Sequence, residues 1–188
     1  MNGKIGVFWS NQLLNKDFFA VHRDSDPATT WTLETAGSGG KFSDDHFNLK
    51  FAADGRLFVM IKTNYSTTGQ ILDGLLVRSA SGTWSPLFSI SRVEFNATRE
   101  LIQLDEVHRK IYAFYSLDHA AIYYKVSDMD TIGFPEGAGS PFIESNSVTD
   151  INNPTGSKQS IDATTGLLVE ASSRADNSYW HTFLPIAP

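Results

Sequence analysis

The sequence predicts an all-β protein, a β-propeller of four-stranded antiparallel blades of which about three and a half are present. Three observations carry this. Short apolar runs bounded by turn residues recur about every 52–57 residues, the spacing of propeller blades. The chain is 12% aromatic, with Phe 13, Tyr 6 and Trp 4, set among Ser, Thr, Asn, Asp and Gly, a mix that favours strands joined by frequent turns. No long apolar stripe with a 3.6-residue period appears, so packed helices are not expected.

The repeat is clearest in one strand, here named b: Lys4 to Ser10, Arg56 to Lys62, Lys110 to Ser116 and Gly166 to Ser172. An inner strand a precedes three of them, expected at His46 to Ala52, Leu101 to Leu104 and Lys158 to Ile161. Ala53-Asp54-Gly55 joins the first such pair, and Asp-Gly is a strong hairpin signal. Strand c follows at Phe18 to His22, Leu75 to Arg78, Ile122 to Val126 and Tyr179 to Leu184. An outer strand d is expected after Trp31, Trp84 and Phe134.

The order is therefore b-c-d, a-b-c-d, a-b-c-d, a-b-c, a single partial propeller over 1–188 with blades near 1–40, 41–93, 94–146 and 147–188. Nothing before Met1-Asn2 supplies the first strand a, and the last blade stops at strand c. Merging the ends would duplicate strands b and c, so the segment reads as truncated or split. Its end blades would expose apolar faces, to be covered by upstream blades or by self-association.

Composition narrows the partners. A net charge of −6 with 15 Lys and Arg does not suit a phosphate-tracking surface, which needs clustered positive charge, so nucleic acid is not expected. No apolar stretch approaches the ~20 residues that span a bilayer, and Met1-Asn2-Gly3-Lys4 does not open a signal peptide. With Cys 0 there is no disulfide or thiolate metal site. The histidines His22, His46, His108, His119 and His181 lack ligand spacing, and no phosphate loop, nucleophile elbow or zinc-protease helix occurs. Neither a metal nor a cofactor is expected.

One turn, Asp24-Ser25-Asp26-Pro27-Ala28-Thr29-Thr30-Trp31, resembles the Asp-box of bacterial-sialidase-type repeats. Degenerate copies stand in register at Ser79 to Trp84 and Ser127 to Phe134. The resemblance implies a structural role for Asp24, Asp26, Ala28 and Trp31: a carboxylate accepting backbone N–H groups inside the turn, a small residue at the bend, and a Trp packed between blades. In that family these turns lie opposite the substrate face. It also implies a secreted or cell-surface bacterial protein. The three clustered arginines, Tyr-Glu pair and acid Asp of sialidase chemistry are not recognisable here.

Propeller geometry puts the d-to-a and b-to-c connections on one face around the central channel, where function concentrates. That selects Asp45, Asn48, Lys50, Thr98, His119, Lys158, Gln159 and Trp9 as candidate ligand-binding residues, a set of charges, amides, hydroxyls and aromatic rings suited to a polar, anionic sugar. The stretch Asp44-Asp45-His46-Phe47-Asn48 also looks like the opening of another propeller group, with neuraminidase-type repeats, that includes uronate polysaccharide lyases. That resemblance implies His46 as general base or acid, Tyr65 or Tyr115 as its partner, and Arg99 as the carboxylate neutraliser.

Three functions stay open. The chain is a noncatalytic carbohydrate-binding or scaffolding segment of a bacterial exported protein; or a glycan-processing enzyme, a uronate lyase or glycoside hydrolase, with its site at the channel; or a protein-interaction propeller. The first asks least of the residues, since it needs only a polar rim and aromatics, whereas an enzyme needs a constellation that an arc of a ring does not visibly complete.

Overall fold

A computed structural model describes residues 3–148 and 150–188, so Thr149 and the Met1-Asn2 start lie outside the described residues. Among the described residues, fourteen strands form four antiparallel meanders, each in chain order. Sheet I holds β1 (Lys4–Asn11), β2 (Lys16–Arg23) and β3 (Thr32–Ser38). Sheet II holds β4 (Phe47–Phe51), β5 (Leu57–Lys62), β6 (Ile71–Arg78) and β7 (Phe88–Arg92). Sheet III holds β8 (Ala97–Asp105), β9 (Lys110–Leu117), β10 (Ala121–Asp128) and β11 (Ser140–Ile143). Sheet IV holds β12 (Ile151–Gly156), β13 (Leu167–Ser173) and β14 (Ser178–Leu184). This is the b-c-d, a-b-c-d, a-b-c-d, a-b-c order that the sequence repeat predicts.

Burial follows from how many faces of a strand are covered. Along β5, between two neighbouring sheets, Leu57, Phe58, Val59, Met60 and Ile61 are all buried. Val59 and Ile61 pack toward sheet I with Phe8 and Phe19, while Phe58 and Met60 pack toward sheet III with Ile102, Leu104 and Ile111. A strand buried on both faces reads as an unbroken apolar run. In β13, by contrast, Leu167, Val169 and Ala171 are buried and Leu168 and Glu170 exposed; one face meets sheet III and the other meets no sheet among the described residues. Each fully buried Leu, Ile or Phe contributes about 1.5–3 kcal/mol, so the inner sheets carry most of the stability.

The Asp54-Gly55 turn behaves as its residues require. Gly55 has φ +88°, open to glycine at little cost, and Asp54 accepts both the backbone N–H and the guanidinium of Arg56. Two end faces stay uncovered, with Ile5, Val7 and Leu33 exposed on sheet I and Leu168, Tyr179 and Phe183 on sheet IV.

Three expectations are corrected. The fourth strand a is Ile151–Gly156, not Lys158 to Ile161. Asn, Pro and Gly make it a poor strand by propensity, but Ser116 Oγ donates to Asn152 Oδ1 and Ser172 Oγ to the Asn152 carbonyl. Ile161 instead forms a parallel bridge to Asp105 at the end of β8. Tyr115 is fully buried with its hydroxyl on the Ala138 carbonyl at 2.9 Å, and burial raises its pKa, so it partners no ligand group. Trp31 does not lie between sheets. It is 42% exposed, tilted over His22 at 5.0 Å, with its indole N–H on the Ala28 carbonyl. The interblade position belongs to Trp84, which meets Phe8 and Phe19.

Candidate functional site

Two backbone irregularities build the site. At Arg99 the register of β8 against β9 shifts between Thr98 and Leu101, and at Asn153 that of β12 against β13 shifts between Asn152 and Thr155. The two residues occupy equivalent positions in successive sheets and both have positive φ, 64° and 55°. A bulge re-aims the side chain it carries, and a non-glycine residue in the left-handed region costs of order 1 kcal/mol or more. Arg99 and Asn153 thereby border one open cleft that Asp45, His46 and Phe47 enter from the start of β4, with Glu100 and Pro154 behind.

Within the cleft Arg99 Nη1 meets His46 Nε2. A guanidinium only donates, so Nε2 is the acceptor and the imidazole proton sits on Nδ1. Nδ1 is 2.6 Å from Asp45 Oδ1, but the carboxylate lies off the N–H axis and no hydrogen bond forms. Burial and then the Arg99 charge hold the His46 pKa below its ordinary value, in keeping with a neutral ring. Asp44 completes this edge, accepting from Gln12 at 3.4 Å and pairing with Lys62 at 3.5 Å. Arg99 Nε is buried without a partner.

Beneath the bulge lie two carboxyl groups that sequence reasoning missed as a pair. Asp73 and Glu100, 0% and 7% exposed, stand within hydrogen-bonding reach of each other. Ser91 Oγ donates to Asp73 Oδ2 at 2.5 Å, but neither oxygen of Glu100 has a donor. Two carboxylates so placed cannot both ionise cheaply, and a shared proton satisfies them. Burial, then each other's charge, raises Glu100 well above the usual range; burial also raises Asp73. One signal was available: Asp73 interrupts the apolar run of β6 directly opposite Lys62. Asp17 holds the same place opposite Ser10 one sheet earlier. There it takes a 2.6 Å hydrogen bond from Ser43, and burial lifts its pKa to about 6.

The other sequence candidates scatter. Asn48 Oδ1 accepts the Ile102 N–H, joining β4 to β8. Lys50 is 5% exposed and donates to the Ser157 and Gln159 carbonyls; burial lowers its pKa to about 8. Gln103 donates to the same Ser157 carbonyl, so Lys50 ties inner strands together. Lys158 and Gln159 follow the C-terminal end of β12, whereas the cleft is lined from near its start by Asn153, because the inner strand is Ile151–Gly156. Thr98 is buried in the bulge. His119 bonds Asn152 at 2.9 Å, near the cleft but outside its lining. Trp9 stacks on Phe18 at 5.5 Å on the open face of sheet I, and the Tyr65 hydroxyl donates to the Gly39 carbonyl at 3.3 Å.

The cleft offers a guanidinium, an imidazole, an amide and a carboxylate at one opening, a set that hydrogen-bonds hydroxyl-rich or charged ligands. Asp44, Asp45 and His46 place one ligand atom each within 4.8 Å of one another, but Lys62 on Asp44 and Arg99 on His46 Nε2 already supply positive charge there, which disfavours a cation.

No protein-family model and no curated protein matches the sequence. Among solved structures, Bacteroides ovatus xyloglucan PUL GH43B is similar with a TM-score of 0.60 at 12% identity, over 99% of this chain and 39% of that one. A thermostable family-43 glycoside hydrolase aligns with a TM-score of 0.45 at 15% identity, over 94% of this chain and 70% of that one. The chain thus spans 39% of the length of the first. At such identities the likeness establishes the propeller-type fold and nothing of the chemistry.

Proposed function

We propose that this chain is a noncatalytic carbohydrate-binding segment of a β-propeller, with its ligand on the rim where the inner strands of sheets II, III and IV begin. The observation that carries this is the pair of equivalent bulges at Arg99 and Asn153, which set along the cleft entered by His46 and Asp45 a guanidinium and an amide whose nitrogen donates to Ser172 and whose oxygen stays available. The family-43 likeness supports a glycan as the ligand class. Binding alone is favoured because the lone pair of His46 Nε2 is occupied by Arg99, so the imidazole is not a free base. Isothermal titration with xyloglucan oligosaccharides and with a uronate polymer, beside a glycan array, tests the proposal. Arg99→Ala is expected to weaken binding by about tenfold or more. Silence of the whole array would remove the proposal, and a specific protein recovered by pull-down would favour an interaction module.

A second reading, a glycan-processing enzyme, is favoured by one observation. Glu100 is part of the cleft wall and has the raised pKa that a general acid requires, although its carboxyl is buried against Asp73 and would have to turn outward to reach a ligand. Product release from the same polymers, lost in Glu100→Gln, would support it. We further infer an exported bacterial protein whose open faces on sheets I and IV are covered by further blades or a second copy; particle mass in solution tests the second copy. Kinship with the Asp-box group rests on Asp24, Asp26, Ala28 and Trp31 and on the degenerate copies at Ser79 to Trp84 and Ser127 to Phe134.

A further inference from the structure

On the face opposite the rim, Lys4 and Arg23 are direct cross-strand partners in sheet I, and like charges set opposite one another on one face of a sheet repel. Both line a cleft of about 330 Å³ between sheets I and II. The acid in that lining, Glu34, is already committed: it takes two hydrogen bonds from Arg78, at 2.7 and 2.6 Å, and one from the Trp84 indole at 2.9 Å. Three cations therefore face one engaged carboxylate on a chain whose net charge is −6. The Thr32 and Ser81 hydroxyls and the half-exposed ring of Phe51 complete the walls.

We propose that this cleft binds a tetrahedral oxyanion, a sulfate or phosphate group, either free or as an ester on a sugar. Arg78 is held rigid by Glu34, while among the described residues Lys4 and Arg23 have no side-chain partner, so an oxyanion there replaces their mutual repulsion with two charge-assisted hydrogen bonds. The site is independent of the rim and needs no glycan bound there.

The test is an NMR titration with sodium sulfate against sodium chloride at matched ionic strength, followed on the Thr32 and Ser81 amides. Saturable shifts are expected with sulfate alone. Lys4→Gln and Arg23→Gln are each expected to weaken binding roughly threefold to fivefold, and the double variant to abolish it. A second readout separates ligand binding from a merely structural role: in low salt without sulfate, Arg23→Gln should melt higher than the parent, because it removes the repulsion. Equal shifts with chloride, undiminished binding in the double variant, or a lower melting point for Arg23→Gln would overturn the proposal. Galactose 6-sulfate distinguishes the sources: tighter binding than sulfate, lost in Phe51→Ala, assigns the site to a sugar ester, and equal binding assigns it to the free ion.

Discussion

Arg99 and His46 meet across the junction of sheets II and III, the guanidinium donating to the imidazole Nε2. That contact fixes the tautomer of His46 and sets the shape of the cleft. It also depends on a bulge, because Arg99 reaches His46 from a backbone with φ 64°.

Replacing Arg99 by glycine separates the two roles of the position. Glycine adopts positive φ without strain, and the buried, unpartnered Nε disappears. Arg99→Gly is therefore expected to hold or raise stability by up to about 1 kcal/mol while losing ligand binding, as read by thermal unfolding and titration calorimetry together. A clear loss of stability would mean that the His46 contact outweighs the backbone strain.

The Asp73–Glu100 pair predicts a pH dependence. Both folded pKa values are raised, so the folded state holds proton that the unfolded chain releases. Stability is then fully present below the ordinary carboxylate range and is lost as pH rises toward the folded values. Glu100→Gln supplies an amide donor in place of the shared proton and should flatten this decline. Denaturant unfolding at several pH values measures the slope in both proteins; parallel slopes would rule out the shared proton.

Asp17 makes the same argument with a value attached. Its pKa rises from 3.8 to about 6 on folding, so stability falls between those values as pH increases. Asp17→Asn keeps the shape and the acceptor for Ser43, and should gain about 1–3 kcal/mol at pH 7 to 8 while losing that advantage near pH 4. An unchanged midpoint at neutral pH would show that the carboxylate is well solvated.

Arg78 links sheets I and II through Glu34 and lies over the Phe19 ring at 5.3 Å. Its removal leaves the Glu34 carboxylate with Trp84 as its remaining donor. Arg78→Met should destabilise by about 2–3 kcal/mol. The Glu34→Gln, Arg78→Met double variant should recover part of that loss, as a double-mutant cycle would reveal.

Much of the fold was legible in the sequence. Strand b repeats because each copy must bury a face against the next sheet, so Arg56 to Lys62 and Lys110 to Ser116 share an apolar pattern that spacing alone reveals. The cleft was half legible: Asp44, Asp45, His46 and Arg99 could be picked out as polar groups at strand starts. Asp73 was not, because a buried acid in an apolar strand gains meaning only when the neighbouring sheet brings Glu100 beside it.

The four-sheet repeat, its strand order and its Asp-Gly turn follow from the chain's local chemistry, since alternation, turn residues and period are properties of neighbouring residues. The position of the fourth inner strand, the tryptophan that packs between sheets and the polar groups that meet are set by contacts between sheets. Asn152-Asn153-Pro154 becomes a strand through hydrogen bonds from Ser116 and Ser172, and Arg99 turns toward His46 through a bulge. Both depend on residues far away in sequence, and a local propensity carries no record of them.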